Sequence, residues 1–179
     1  MNRYLAFLRG INVSGKNKVE MARLKEGFEG LGFGEVKTYL NSGNVAFSSG
    51  RNDCGRFSEE IESMIEGQFC LKVPVFVISK EELEDILNRA PGWWGNEDKA
   101  IYDNLIFVMP PAASADVCRE IGEPKEGLEK IEVYGNAIFW SFDRKDYQKT
   151  NWWPKTASAG VKDKITIRTA GTVRKTLGL

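Results

Sequence analysis

Ten residues near the start of the chain, Arg9–Lys18, concentrate the side chains most suited to chemistry. Gly10-Ile11-Asn12-Val13-Ser14-Gly15-Lys16-Asn17 follows an apolar run, precedes a helical pattern and fits the spacing G-x-x-x-x-G-K. In a phosphate-binding loop of that spacing, glycine-rich backbone wraps the phosphates, the lysine reaches the terminal ones and a following hydroxyl holds magnesium. Here Asn17 stands where the hydroxyl belongs, and Asn17-Lys18-Val19-Glu20 separates the motif from its helix. An antiparallel hairpin is expected next, where a nucleotide hydrolase needs a parallel crossover, so that activity is not expected. Anion binding remains. Arg9, Asn12, Lys16, Asn17 and Lys18 make a loop rich in donors and positive charge, of the kind that holds phosphate or carboxylate. The competing reading is a surface connection whose glycines only permit turning.

Further polar candidates are Asn41 and Asn44, which have the donors to bind a ligand but sit in a turn-rich tetrapeptide where backbone geometry also selects Asn and Gly. Arg168, with Thr172 and Arg174, adds charge near the end and is a candidate to face the first loop. Trp93-Trp94 and Trp152-Trp153 offer rings for stacking, or packing between two halves. Asp53, Asp143 and Asp146 have no evident partner for acid–base work.

The chain has no histidine, which removes Ser-His-Asp triads, Cys-His pairs and imidazole metal ligands. Cys54, Cys70 and Cys118 are scattered, form no Cys-x-x-Cys pair and read as free, mostly buried thiols. No metal site is expected, and the sequence names no cofactor. An enzyme here would depend on carboxylates, Lys, Tyr or Cys acting without His.

At 179 residues and 42% hydrophobic, with ten Phe, five Trp and five Tyr, the chain can bury a core. No apolar run approaches the roughly 18 residues of a membrane span. The first ten residues read as a strand, not a signal peptide, and a cytoplasmic location is expected. Net charge is zero but unevenly spread. Met1–Lys25 has six basic residues against Glu20, and Arg144–Leu179 nine against Asp146 and Asp163, around an acidic centre. Such ends either converge on an anionic partner or are solvated surface.

Periodicity predicts strands at Tyr4–Leu8, Val36–Leu40, Val45–Ser49 and Val73–Ile78, with helices through Met21–Leu31 and Phe57–Phe69, the second capped by Ser58. That order, strand-helix-strand-strand-helix-strand, is a ferredoxin-like unit. After a helix at Lys80–Asn88 and the Trp93-Trp94 loop, the order begins again. Strands are expected at Leu105–Met109, Lys130–Val133, Ala137–Phe142 and Lys164–Ile167. Helices are expected around Val117 and Ile121, through Asp146–Lys149 behind Asp143, and at Ala170–Leu177. Gly43-Asn44-Val45-Ala46-Phe47 echoes Gly135-Asn136-Ala137-Ile138-Phe139, which suggests a pseudo-repeat. The fold class is α+β, two ferredoxin-like (βαββαβ-type) halves with antiparallel sheets. Residues 1–79 form the first half, 80–103 a helical linker and Trp loop, and 104–179 the second half with its C-terminal helix.

Several stretches resemble a bacterial domain-of-unknown-function family, numbered 1697. They are Leu8-Arg9-Gly10-Ile11-Asn12-Val13-x-Gly15-Lys16-Asn17-Lys18-Val19-x-Met21, Leu31-Gly32-Phe33 and Thr38-Tyr39-Leu40-Asn41-Ser42-Gly43-Asn44-Val45-x-Phe47. Trp93-Trp94-Gly95 and Asn104-Leu105-Ile106-Phe107 are also similar to it. Near the end, Thr169 and Ala170 replace an Asn and a Trp of that family's pattern. The resemblance implies the ferredoxin-like architecture and a cytoplasmic protein, and no particular activity.

Four functions follow as expectations. The first is a module for a phosphorylated or anionic small molecule, built on residues 9–18. The second is a nucleic-acid binder, although Gly43–Ser48 does not fit the aromatic strand motif of the RNA-recognition fold. The third is a histidine-independent enzyme, and the fourth a protein that binds a protein partner. The oligomeric state is not legible.

Overall fold

Tyr4, Ala6 and Leu8 lie on one side of the first strand and Leu5 and Phe7 on the other, and all five are fully buried. A strand buried on both faces belongs in the middle of its sheet. The computed structural model, which describes residues 1–179, places it there. The first half contains β1 (Asn2–Leu8), α1 (Met21–Gly30), β2 (Gly34–Tyr39), β3 (Asn44–Ser49), α2 (Cys54–Phe69) and β4 (Val75–Ser79), followed by α3 (Lys80–Asn88). Its sheet runs β2-β3-β1-β4 and is antiparallel throughout, with Tyr4 opposite Phe47 and Leu8 opposite Val75.

The second half contains β5 (Ile101–Val108), α4 (Ser114–Ile121), β6 (Glu129–Tyr134) and β7 (Ala137–Asp143), then α5 (Trp152–Thr156), β8 (Ile165–Thr169) and α6 (Ala170–Leu177). Its sheet runs β6-β7-β5-β8, again antiparallel. Both halves therefore have the ferredoxin-like strand order. By packing, the chain divides into one unit of Met1–Asp85 with Arg174–Leu179 and a second of Ile86–Val173. Within the first unit, Arg3 and Lys37 donate to the carbonyl oxygen of Leu179 at 3.2 and 2.9 Å.

Each unit has its own core on the helical side of its sheet. In the first, Tyr4, Phe28, Phe33, Phe47 and Phe57 interlock with ring centroids 4.3 to 6.0 Å apart, and Ile61 and Ile65 of α2 complete the layer. In the second, Trp140 and Trp152 pack with Ile106, Val108, Val117 and Ile138. The centres of both sheets are buried on the opposite face as well, through Leu5, Phe7 and Ala46 in one and Leu105, Phe107 and Phe139 in the other.

The backbone repeats faithfully at one end of each sheet. Leu8 N–H donates to Gly43 O and Val108 N–H to Asn136 O, both at 2.8 Å. Arg9 N–H donates to Pro74 O at 3.0 Å, and Met109 N–H to Lys164 O at 2.8 Å. The Gly-Asn echo in the sequence is nevertheless one residue out of register. Asn44 pairs with Phe7, whereas Ala137 pairs with Phe107. The cause is turn length, since Leu40–Gly43 connects the first hairpin and only Gly135-Asn136 the second.

Three local expectations are corrected. Helix α2 starts at Cys54 with Asp53 as its cap, whose carboxylate accepts from Arg56 N–H at 3.0 Å. Ser58 lies inside the helix and donates to Cys54 O. Strand β5 begins at Ile101, because the hydroxyl of Ser141 on the neighbouring strand satisfies Asp103. Finally, the stretch from Arg144 to Lys164 is broken into a 3-10 turn at Arg144–Lys149, α5, and a 3-10 turn at Lys162–Lys164, where the first half has the single helix α2. Pro154 is tolerated in the first turn of α5, where the missing N–H costs no helical bond.

Candidate functional site

The loop between β1 and α1 is bonded to itself. At its tip, Lys16 N–H donates to Val13 O at 2.9 Å, with positive φ at Ser14 (50°) and Gly15 (77°). Positive φ at both central residues is the signature of a type I′ turn. Below the tip, Asn12 N–H donates to Asn17 O at 3.0 Å, and Asn17 Nδ2 returns a bond to Gly10 O at 2.9 Å. Asn12 and Asn17 themselves have φ of 52° and 49°, a conformation Asn accepts more readily than most residues.

Asn12 also ties the loop to its surroundings. Its Nδ2 donates to Val19 O at 2.9 Å and to Asn41 O at 2.8 Å, while its Oδ1 accepts from Val19 N–H at 2.9 Å. Ile11 and Val19 are buried beneath the loop. The neighbouring hairpin presses on the same end of the sheet. Gly43, at φ 83°, lies so close to β1 that a Cβ there would stand 2.6 Å from Leu8 Cβ. Asn44 is fully buried and donates through Nδ2 to Tyr39 O (2.9 Å) and Ser42 Oγ (3.0 Å).

The side-chain nitrogens of Asn12, Asn17 and Asn44 therefore donate within the protein. Asn41 is exposed and enters the arrangement through its carbonyl. What the loop presents outward is Lys16 and Lys18, both exposed and in no ion pair, with Val13 at the tip and Leu40 on the adjacent hairpin. Arg9 is half-buried at the loop's base. The wrapped backbone of a nucleotide hydrolase is absent, because the N–H groups of Asn12 and Lys16 already have carbonyl partners and α1 begins only at Met21.

Arg168 lies on β8 in the second unit, whereas the loop Arg9–Lys18 belongs to the first. Its Nη1 donates to Ile167 O at 2.8 Å and Thr166 Oγ1 at 3.1 Å, and burial pushes its pKa down to about 10. Trp94 packs edge-on against Phe139 with its indole N–H on Asn104 O, and Trp152 is buried in the second core. Asp53 is a helix cap, while Asp143 and Asp146 are paired with Lys145 and Lys149.

Cys54 and Cys118 are half-buried, and burial raises both thiol pKa values, which weakens them as nucleophiles. Cys70, the residue that ends α2 in the left-handed conformation at φ 56°, is exposed, unlike the buried thiol expected. No three His, Cys, Asp or Glu side chains are grouped to hold a metal ion. No helix is long and apolar enough to cross a membrane.

One buried acid escaped sequence reasoning. Glu129 accepts from Trp140 Nε1 (3.0 Å) and from the backbone N–H groups of Lys125 (2.9 Å), Asn151 (2.6 Å) and Trp152 (3.2 Å). Its partners lie four to 23 positions away in the chain, so no local motif marks it. Its work is structural, fixing the start of α5.

Two antiparallel ferredoxin-like halves, the first carrying a basic and internally bonded loop, define a tandem α+β protein. The chain belongs to the family described as Protein of unknown function (DUF1697), whose model matches residues 1–139. It is similar to the conserved bacterial protein SP0830 from Streptococcus pneumoniae, with a TM-score of 0.85 and 29% identity, over 99% of this chain and 97% of that one. An unknown protein from Galdieria sulphuraria aligns over 94% of this chain and 96% of its own, at 12% identity and a TM-score of 0.28. No curated protein matches the chain.

Proposed function

We propose that the protein is a cytoplasmic binding module for a phosphorylated or otherwise anionic small molecule, which it holds at the loop Arg9–Lys18. One observation carries this reading. Lys16 and Lys18 are exposed and without ion pairs, on a loop whose backbone Asn12 and Asn17 already hold in place. A preordered loop loses little entropy when it closes on a ligand, so two lysine point charges count for more than they would on a floppy segment. The nucleic-acid alternative is the weaker one, because the sheet centres that would stack bases are buried on both faces.

Thermal unfolding of the wild-type protein and of Lys16→Ala, with inorganic phosphate, glucose 6-phosphate, adenosine monophosphate and citrate, tests the proposal. A ligand at a hundred times its dissociation constant adds about 2.7 kcal/mol, which raises the melting temperature by roughly 5–10 °C at this size. The expected result is such a rise in the wild type and its loss in Lys16→Ala, with equal stability of the two proteins without ligand. A rise that survives the substitution would move the site elsewhere.

A further inference from the structure

Three of the five tryptophans spend their polar edge inside the protein. Trp94 Nε1 donates to Asn104 O (2.7 Å), Trp140 Nε1 to Glu129 (3.0 Å) and Trp152 Nε1 to Gly122 O (3.1 Å). Trp153 does not. It is 41% exposed, and its indole N–H has no partner. Burial alone does not account for so large an apolar side chain at the surface, and its surroundings explain it better.

Trp153 forms one wall of a pocket of about 300 Å³ in the second unit, together with Tyr102, Phe142, Arg144 and Tyr147. Tyr147 meets it edge-on with ring centroids 4.8 Å apart at 75°, and Phe142 at 5.8 Å and 72°. These crossed rings fix the indole plane. In the same pocket the Arg144 guanidinium lies over the Tyr102 ring, 4.6 Å from its centroid. Arg144 is exposed and forms no ion pair, while the flanking acids are already matched, Asp143 by Lys145 (3.6 Å) and Asp146 by Lys149 (2.7 Å). The pocket thus combines aromatic walls with one unneutralised positive charge.

We propose that this pocket is a second binding site, which takes a flat aromatic ring bearing an anionic substituent. The ring stacks against Trp153, whose N–H is available to a polar edge of the ligand, and the carboxylate or phosphate reaches Arg144. A cation of the kind that aromatic cages hold is disfavoured, because Arg144 covers the Tyr102 face and repels it. All of its residues belong to the second unit, and the loop Arg9–Lys18 to the first.

The test uses 2-naphthoate, the neutral 2-naphthol and 2-naphthylmethylammonium as probes, followed by ¹H–¹⁵N spectra of the tryptophan indoles. Trp153→Phe, which preserves a ring, assigns the Trp153 signal. Naphthoate is expected to move that signal saturably and leave Trp94 still. Arg144→Gln is expected to weaken naphthoate about tenfold and naphthol hardly at all, the tenfold change corresponding to about 1.4 kcal/mol. An ammonium probe that binds as tightly as naphthoate would overturn the proposal. So would an unchanged naphthoate affinity in Arg144→Gln, or no saturable shift of Trp153 up to about 10 mM probe, a limit corresponding to very weak binding.

Discussion

Asn12 shows how closely a structural amide resembles a ligand-binding one. Its side chain makes three hydrogen bonds, two to Val19 and one to Asn41, and so joins both ends of the loop to the neighbouring hairpin. Asn12→Ala removes all three and leaves their backbone partners to water. It is expected to cost about 2 kcal/mol in denaturant unfolding. Anion affinity should fall with it although Lys16 and Lys18 are untouched, whereas Lys16→Ala should lower affinity at unchanged stability. At this scale the sequence shows where polar side chains concentrate and not which of them bond within the protein. The sequence leads one to expect Asn12, Asn17 and Asn44 as ligand donors, and their Nδ2 groups donate within the protein, because an amide has the same donors whether it faces a ligand or a carbonyl. The exposure of Lys16 and Lys18 is what a charged side chain on a loop leads one to expect, since a solvated charge needs no partner.

Elements were legible where one period ran long enough. Helix α2 shows a clear apolar face, and only its start was misplaced, from Asp53 to Ser58, because both residues can cap. Helix α5 is not legible in the sequence. It spans only Trp152–Thr156, its proline reads as a breaker, and its position depends on Glu129, whose neighbours are remote in sequence. Glu129→Gln replaces one acceptor oxygen by an N–H donor that faces other donors, and about 2 kcal/mol of stability is expected to be lost in urea unfolding. Gly43 sets the close approach of the first hairpin to β1. Gly43→Ala places a Cβ against Leu8 in a left-handed backbone conformation and is expected to cost about 2 kcal/mol or more by the same measurement. Gly10→Ala meets no atom within 4 Å and incurs the backbone strain alone, so the difference between the two variants isolates the packing at Gly43.

Across the whole molecule, the order of strands and helices was the most readable feature, because each half repeats the same alternation of periods two and 3.6. The repeat was inferred partly from a Gly-Asn match that proves to be out of register, since hairpin turns select those residues wherever they occur. Charge distribution was legible as a sum and not as a surface. Arg168, counted among the basic residues of the end, is largely withdrawn from solvent on β8, whereas Lys16 and Lys18 stand exposed and without ion pairs at the first loop. The most direct test of the anion-binding account is a titration of the ¹⁵N-labelled protein with inorganic phosphate, which has no ring to stack in the aromatic pocket and whose effect is read at the loop amides, against chloride at equal ionic strength. The account predicts saturable shifts of the backbone amides between Gly10 and Lys18 with phosphate alone, abolished when Lys16 and Lys18 are both replaced by alanine. Shifts that match those in chloride, or that leave this loop unmoved, would contradict it.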